Sequence, residues 1–194
     1  MAGDHPDSVV SKNLIRNSQQ RCVVIHGTDS VLVEENVAYD TIGHCYINEN
    51  GVEEGIRFHH NLGALTLKQP EERLIGESDH RAYTFWFSNA NVSVVGNVAA
   101  GAHMGGYWYE TFEHAPHGPY RNTTLWPEYA EFNPKSRPFG SFIDNVVHSS
   151  GERGIRMYEP GYKPFEEFTF YNSRVYKNNM HGIFIHGVQV RSSH

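Results

Sequence analysis

The chain has 194 residues, of which 39% are apolar and 20% charged, and its net charge is −6. That length supports one domain with a sizeable core, and 11 Tyr, 11 Phe and 3 Trp exclude an intrinsically disordered chain. Two Cys are too few for a disulfide-stapled miniature, and the acidic balance excludes a nucleic-acid or anionic-membrane binder that lacks a local basic patch.

The N-terminus has no basic start and no apolar run, so it does not read as a signal peptide. Both ends read as cut from something longer, with residues 1–194 forming a single domain. From 22 to 80 the chain holds eleven acidic side chains against Arg57, Lys68 and Arg73. The longest apolar stretch, 92–109, is broken by Asn97 and His103, so no segment is expected to enter a membrane.

Helical periodicity is scarce. Short apolar alternations punctuated by Gly and Asn predict many short strands. Four stretches repeat one plan, an Asn with a small apolar patch, a loop, a small residue and an apolar strand. They run Asn36-Val-Ala-Tyr to Cys45, Asn97-Val-Ala-Ala to Gly106, Asn145-Val-Val-His to Gly154, and Asn172-Ser-Arg-Val to Gly182. Cys22-Val-Val-Ile-His-Gly27 is a partial fifth copy.

Strand repeats of roughly 20–30 residues predict a solenoid, here a right-handed parallel β-helix of all-β class, with a β-sandwich as the competitor. The long gaps place an extra coil at 56–67 with a loop over 68–81, and a second excursion over 111–138. The repeated Asn is expected to take the left-handed corner and to bond to the Asn in the next coil. Gly106, Gly154 and Gly182 suit close backbone approach.

The run Arg21-Cys-Val-Val-Ile-His-Gly, then Asn36-Val-Ala-Tyr-Asp-Thr-Ile-Gly-His-Cys-Tyr-Ile-Asn-Glu-Asn-Gly, resembles the β-helix region of the fibrocystins and their hyaluronan-related relatives. The resemblance continues through Asn61-Leu-Gly, Thr84-Phe-Trp-Phe-Ser-Asn, Gly106-Tyr-Trp-Tyr, His114, Gly118-Pro119 and Asn145-Val-Val-His-Ser. It implies a parallel β-helix within a large extracellular or membrane-anchored protein, with receptor, cell-coat or glycan-cleaving roles. One departure is Glu49-Asn50-Gly51, where the family usually has Glu-Asp-Gly.

Candidate chemistry falls into seven groups. Glu49, Glu53 and Glu54 crowd one turn, where hard oxygen ligands suit Ca²⁺, although a solvated turn accounts for them equally; no other cofactor is implied. Glu49 with Glu53, or Glu110 with Glu113, would make the carboxylate pair that a glycosidase needs, and Glu49 and Glu110 occupy matching repeat positions that would line one face. A lyase would instead use His59 or His60 as a base beside Arg57. His114 and His117 share a Pro-kinked loop without zinc spacing, while His26 and His186 close matching strands.

Trp86, Tyr107, Tyr109 and Trp126 are the candidates for a glycan-stacking strip, with core packing as the competing account. Cys22 and Cys45 lie one coil apart and form either a disulfide or a buried thiol pair. Asn91 and Asn122 head glycosylation sequons.

Arg153, Arg156, Lys163, Arg174 and Lys177 are interleaved with Glu152, Glu159, Glu166 and Glu167, which weakens any site for a polyanion. The reading that follows is an extracellular structural or ligand-presenting module with a protein or glycan partner. The alternative is a domain that binds or cleaves hyaluronan.

Overall fold

The computed structural model describes residues 3–4, 8–115, 120, 122–158 and 161–186. His117, Gly118, Pro119, Glu159 and Gly187 lie outside the described residues. The chain winds through three parallel six-stranded sheets, one strand per sheet in each coil. The first coil is Val9–Ser11, Leu14–Arg16 and Val23–Ile25; the second is Leu32–Glu34, Val37–Ile42 and Tyr46–Asn48. The third is Ile56–His59, Leu62–Leu67 and Tyr83–Phe87; the fourth is Val92–Val95, Val98–Ala100 and Gly105–Tyr109. Ser141–Ile143, Val146–His148 and Arg153–Met157 make the fifth, and Phe170–Tyr171, Arg174–Tyr176 and His181–Ile185 the sixth.

The expected parallel β-helix is therefore the fold, and every ladder between coils is parallel, which excludes a sandwich of antiparallel sheets. No helix among the described residues is long and apolar enough to cross a membrane.

Alternation fixes the core. Val33, Phe58, Val94 and Phe142 point inward from the first sheet, Ala38, Ala99 and Val147 from the second, and Tyr46, Phe85, Tyr107 and Ile155 from the third. All are at most 1% exposed. The rings of Tyr46, Phe85 and Tyr107 stack coil upon coil with centroids 4.9 and 4.7 Å apart. Inside the solenoid the Tyr107 hydroxyl donates to the Asn97 carbonyl at 3.0 Å.

A polar ladder holds the corner between the first two sheets. Asn36 receives hydrogen bonds at its Oδ1 from the backbone and side chain of Asn13, and Asn61, Asn97 and Asn145 continue the same pattern at 2.9–3.1 Å. Each buried amide is thereby paired, where an unmet one would cost about 1–3 kcal/mol.

The ladder Asn does not itself occupy the left-handed region. That conformation falls on the residue before it, in register at Lys12, Glu35, His60, Gly96, Asp144 and Asn172, and again directly after the third paired residue of each second-sheet strand, at Asn17, Asp40, Leu65, Gly101, Ser149 and Lys177. The Asn is needed for its side-chain bonds, and the preceding residue absorbs the turn. Asn172 consequently aligns with Asp144 and not with Asn145, one residue away from the repeat read in the sequence.

Residues 9–25 form a complete coil with Asn13 at its ladder position, and the partial copy at Cys22 is the last strand of that coil. The segment 56–67 supplies only two strands of the third coil, whose last strand, Tyr83–Phe87, follows the first excursion. The close approaches at the small residues hold: a Cβ on Gly106 would lie 2.3 Å from Val147 Cγ2, and one on Gly154 2.6 Å from the Gly182 carbonyl oxygen.

Candidate functional site

Both excursions border the same pair of strands. The first, 68–82, enters Tyr83–Phe87, and the second, 110–140, leaves Gly105–Tyr109 in the next coil. The outward side chains of these strands, Trp86 and Trp108, together with Ile47 and Tyr83, form a second apolar cluster on the outside of the third sheet. Between the excursions lies a cleft of about 960 Å³, lined among others by Ile75, Glu77, Glu110, Phe112, Glu113 and His114. A smaller lobe of about 330 Å³ continues from it past Trp108, His80 and Arg81. Glu77, Ser78, Glu110 and Phe112 border both lobes.

A polar network ties the first excursion to the coils. Asp79 is fully buried; its Oδ2 accepts from the backbone N–H groups of Ile75 (2.8 Å) and Gly76 (3.1 Å), and its Oδ1 from Arg21 at 3.2 Å. Burial alone would raise the Asp79 pKa, but the Arg21 guanidinium and the two N–H donors outweigh it and hold the carboxyl below its ordinary value. The other arm of Arg21 reaches Glu49.

His44 accepts the Tyr83 N–H at Nδ1 (3.0 Å), meets Ser78 Oγ with Nε2 (3.3 Å) and stacks on Trp86 at 5.0 Å. Burial pushes its pKa down to about 3, so the ring is neutral. Arg21 and His44 directly precede Cys22 and Cys45, which form a disulfide with Cα atoms 4.5 Å apart. One covalent link therefore sits beside both residues that hold the excursion.

The carboxylates of the acidic turn do not converge. Glu49 pairs with Arg21 and His26, Glu54 pairs with Arg137, and Glu53 turns inward to accept from Gly27 N (2.9 Å), Asn50 N (3.0 Å) and Asn48 Nδ2 (3.2 Å). Burial raises the Glu53 pKa despite those donors. Among the described residues no group of three metal-ligating side chains occurs, so the expected oxygen cluster of Glu49, Glu53 and Glu54 is not assembled.

Glu49 and Glu110 do share a register column, together with His26, Ser88, Tyr158 and His186. Two rungs separate them, about 10 Å at the spacing between strands. Glu49 is committed to its ion pairs: burial would raise its pKa, yet His26 and Arg21 bring it below the ordinary value. Glu110 alone lines the cleft, and its Oε2 accepts from Trp86 Nε1 at 2.8 Å.

The expected stacking strip is corrected by burial. Tyr107 and Tyr109 face the solenoid interior and Trp86 lies under the excursion, each at most 1% exposed, because the alternation turns the two tyrosines inward and the excursion roofs the outer rings. Trp126 is half-buried and packs edge-on against Tyr120 (5.2 Å) in a small cluster with Val52, Ala115 and Tyr129 that anchors the second excursion. The rings that do border the cleft are Phe112, Tyr120 and Tyr129.

Arg57 and His59 share the outward side of the first sheet, away from the cleft lining, with His59 Nε2 2.9 Å from Ser93 Oγ; His60 occupies a left-handed corner. The basic series near the C-terminus is broken up, since Arg156 lies over Trp108 at 4.4 Å and Arg153 over Phe184 at 4.9 Å. Asp79, His44 and Phe112 were not singled out from the sequence. Asp79 sits in a charge-rich loop, and its partner Arg21 is 58 residues away.

Residues 1–155 match the CEMIP β-helix family, and the chain belongs to that family. It is 30% identical over 175 residues to the human cell migration-inducing and hyaluronan-binding protein, covering 79% of this chain and 12% of that protein. It is also 30% identical over 162 residues to the human cell surface hyaluronidase CEMIP2, covering 73% of this chain and 11% of that protein. With mouse fibrocystin-L it shares 34% identity over 152 residues, 78% of this chain and 3% of that protein.

Proposed function

We propose that this chain is a ligand-presenting β-helix module of an extracellular protein, and that the cleft between its excursions takes a glycan. The cleft itself carries the proposal: a concave site walled by the two excursions, with rings and carboxylates in its lining, whose smaller lobe reaches the third sheet at Trp108. Sugars present apolar C–H faces to a ring such as Phe112, which is only partly buried, while Glu77, Glu110 and Glu113 accept from hydroxyls. The smaller lobe adds Arg81 and His80, so a polymer alternating neutral and anionic units meets both carboxylates and cations. The names of the relatives, one hyaluronan-binding and one a cell surface hyaluronidase, point to hyaluronan as the first glycan to try. The Cys22–Cys45 disulfide supports an extracellular setting.

A second reading, cleavage, is favoured by one observation: Glu110 shares the cleft with Glu77 and Glu113, and paired carboxylates are what glycoside hydrolysis requires. Incubating the protein with high-molecular-weight hyaluronan, with and without Ca²⁺, separates the two. Retention without shortening, kept or strengthened by Glu110→Gln as one repelling charge is removed, is the expected result. Shortening that Glu110→Gln abolishes makes this an enzyme domain. No retention of hyaluronan or of neutral oligosaccharides by folded protein overturns the glycan reading and leaves a scaffold for protein partners.

A further inference from the structure

The two sequons differ in their surroundings. Asn91 is half-buried and leads straight into Val92–Val95, a strand paired on both sides. Its hydroxyl partner, Ser93, is already engaged by Ser141 Oγ at 2.8 Å and His59 Nε2 at 2.9 Å. Asn122 lies in the second excursion, where residues 122–125 are all exposed. Its Oδ1 accepts the backbone N–H groups of Thr124 (3.1 Å) and Leu125 (3.3 Å), a turn that leaves Nδ2 directed to no partner among the described residues. Thr123 lines the cleft, and Leu125 beside it is 71% exposed, an apolar side chain with no cover among the described residues.

We infer that Asn122, and not Asn91, carries an N-linked glycan that stands on the rim of the cleft. In the attachment, Asn122 Nδ2 bonds to the anomeric carbon of an oligosaccharide donor linked to a lipid pyrophosphate. The bond from that carbon to the pyrophosphate oxygen breaks, and Nδ2 gives up one proton. The sugar then shields Leu125 and narrows the approach to the wall that Thr123 helps to form. This inference does not depend on which ligand the cleft takes.

The test is peptide mass spectrometry of the protein secreted from a eukaryotic host, after enzymatic deglycosylation in heavy-oxygen water, which marks each formerly occupied Asn. The expected result is the mark on Asn122 alone, kept in Thr124→Ser and lost in Thr124→Ala, with both variants folded because Thr124 is exposed. The rim position is tested by modifying the exposed cleft residue His114 with diethyl pyrocarbonate, which should proceed severalfold faster in Thr124→Ala than in the glycosylated chain. An unmarked Asn122 in protein whose Cys22–Cys45 bond has formed, or a marked Asn91, overturns the assignment. Equal His114 rates overturn the rim position.

Discussion

The outward faces of the second and third sheets are built on one register yet end in opposite conditions. On the second sheet Leu14, Val37 and Tyr39 are 74%, 38% and 41% exposed, and the stripe continues through Leu62, Val98 and Val146 with no element laid over it among the described residues. On the third, Ile47, Trp86 and Trp108 are at most 1% exposed. The coil geometry is the same, so it cannot be the cause. The difference lies in where the repeat is interrupted: two insertions in neighbouring coils flank the same two strands, and what they cover becomes a second core with a cleft at its edge. The repeat builds a floor, and the interruptions decide which floor acquires chemistry.

The largest effect expected from this contrast is at the floor. Trp108→Ala removes a buried ring that contacts Tyr83 at 5.3 Å and carries Arg156 at 4.4 Å, and should lower stability by about 3–5 kcal/mol in chemical denaturation. If the outer cluster were incidental to the fold, the loss would be far smaller. Next comes the covalent tie. Cys22→Ser with Cys45→Ser removes a link closing a loop of 23 residues, about 3 kcal/mol by loop entropy. Since Arg21 and His44 adjoin the two sulfurs, hydrogen exchange in 75–82 should accelerate more than exchange in the second sheet. A uniform acceleration would mean that the bond does not act through the excursion.

Much of the coil body was legible because its demands fall on few residue types. Cys22, Cys45, Gly106, Gly154 and Gly182 stand in one register column and were recovered by spacing, whereas Thr84, which fills that column in the third coil, was not. The left-handed corners were not legible. They fall on mixed residue types, Lys12, Glu35 and His60 beside Gly96, Asp144 and Asn172, so no single residue marks the corner, and an Asn standing in the corner at 172 reads like the ladder Asn one position on. Alternation identified rings on opposite faces at Tyr107 and Trp108, but nothing local says which face an insertion will roof. The cleft was invisible for the same reason: its walls are contributed by segments with no periodicity, fixed by Asp79 and Arg21 across a distance in sequence that no short motif spans.

A smaller effect separates the faces by pH. His44 is neutral in the folded chain, with its pKa lowered from 6.5 to about 3, chiefly by burial. As pH falls from about 6.5 towards 3 the unfolded chain takes up a proton that the folded one refuses, so stability declines through that window. Glu49 and Asp79, both held below their ordinary values, add losses only at the acidic end, where their folded forms protonate. Melting temperature should therefore drop between pH 7 and 5, and His44→Gln should flatten that part of the profile. An unchanged slope in the variant would place the titration elsewhere.

The smallest effect is expected on the open face. Val37 points away from the core at the start of a strand bonded on both sides, to Leu14 and to Leu62. Val37→Thr keeps the β-branched shape and the ladder while exchanging a methyl for a hydroxyl that solvent can reach. Little apolar burial is lost, and the change in stability should stay within about 0.5 kcal/mol. The comparison with Trp108→Ala sharpens on this value. A cost of several kcal/mol at Val37 would mean that the second sheet is covered in solution, by another copy or another segment, and that the contrast between the faces reflects the isolated chain. A negligible cost, with the floor of the third sheet intact, assigns the closed core and its cleft to the excursions.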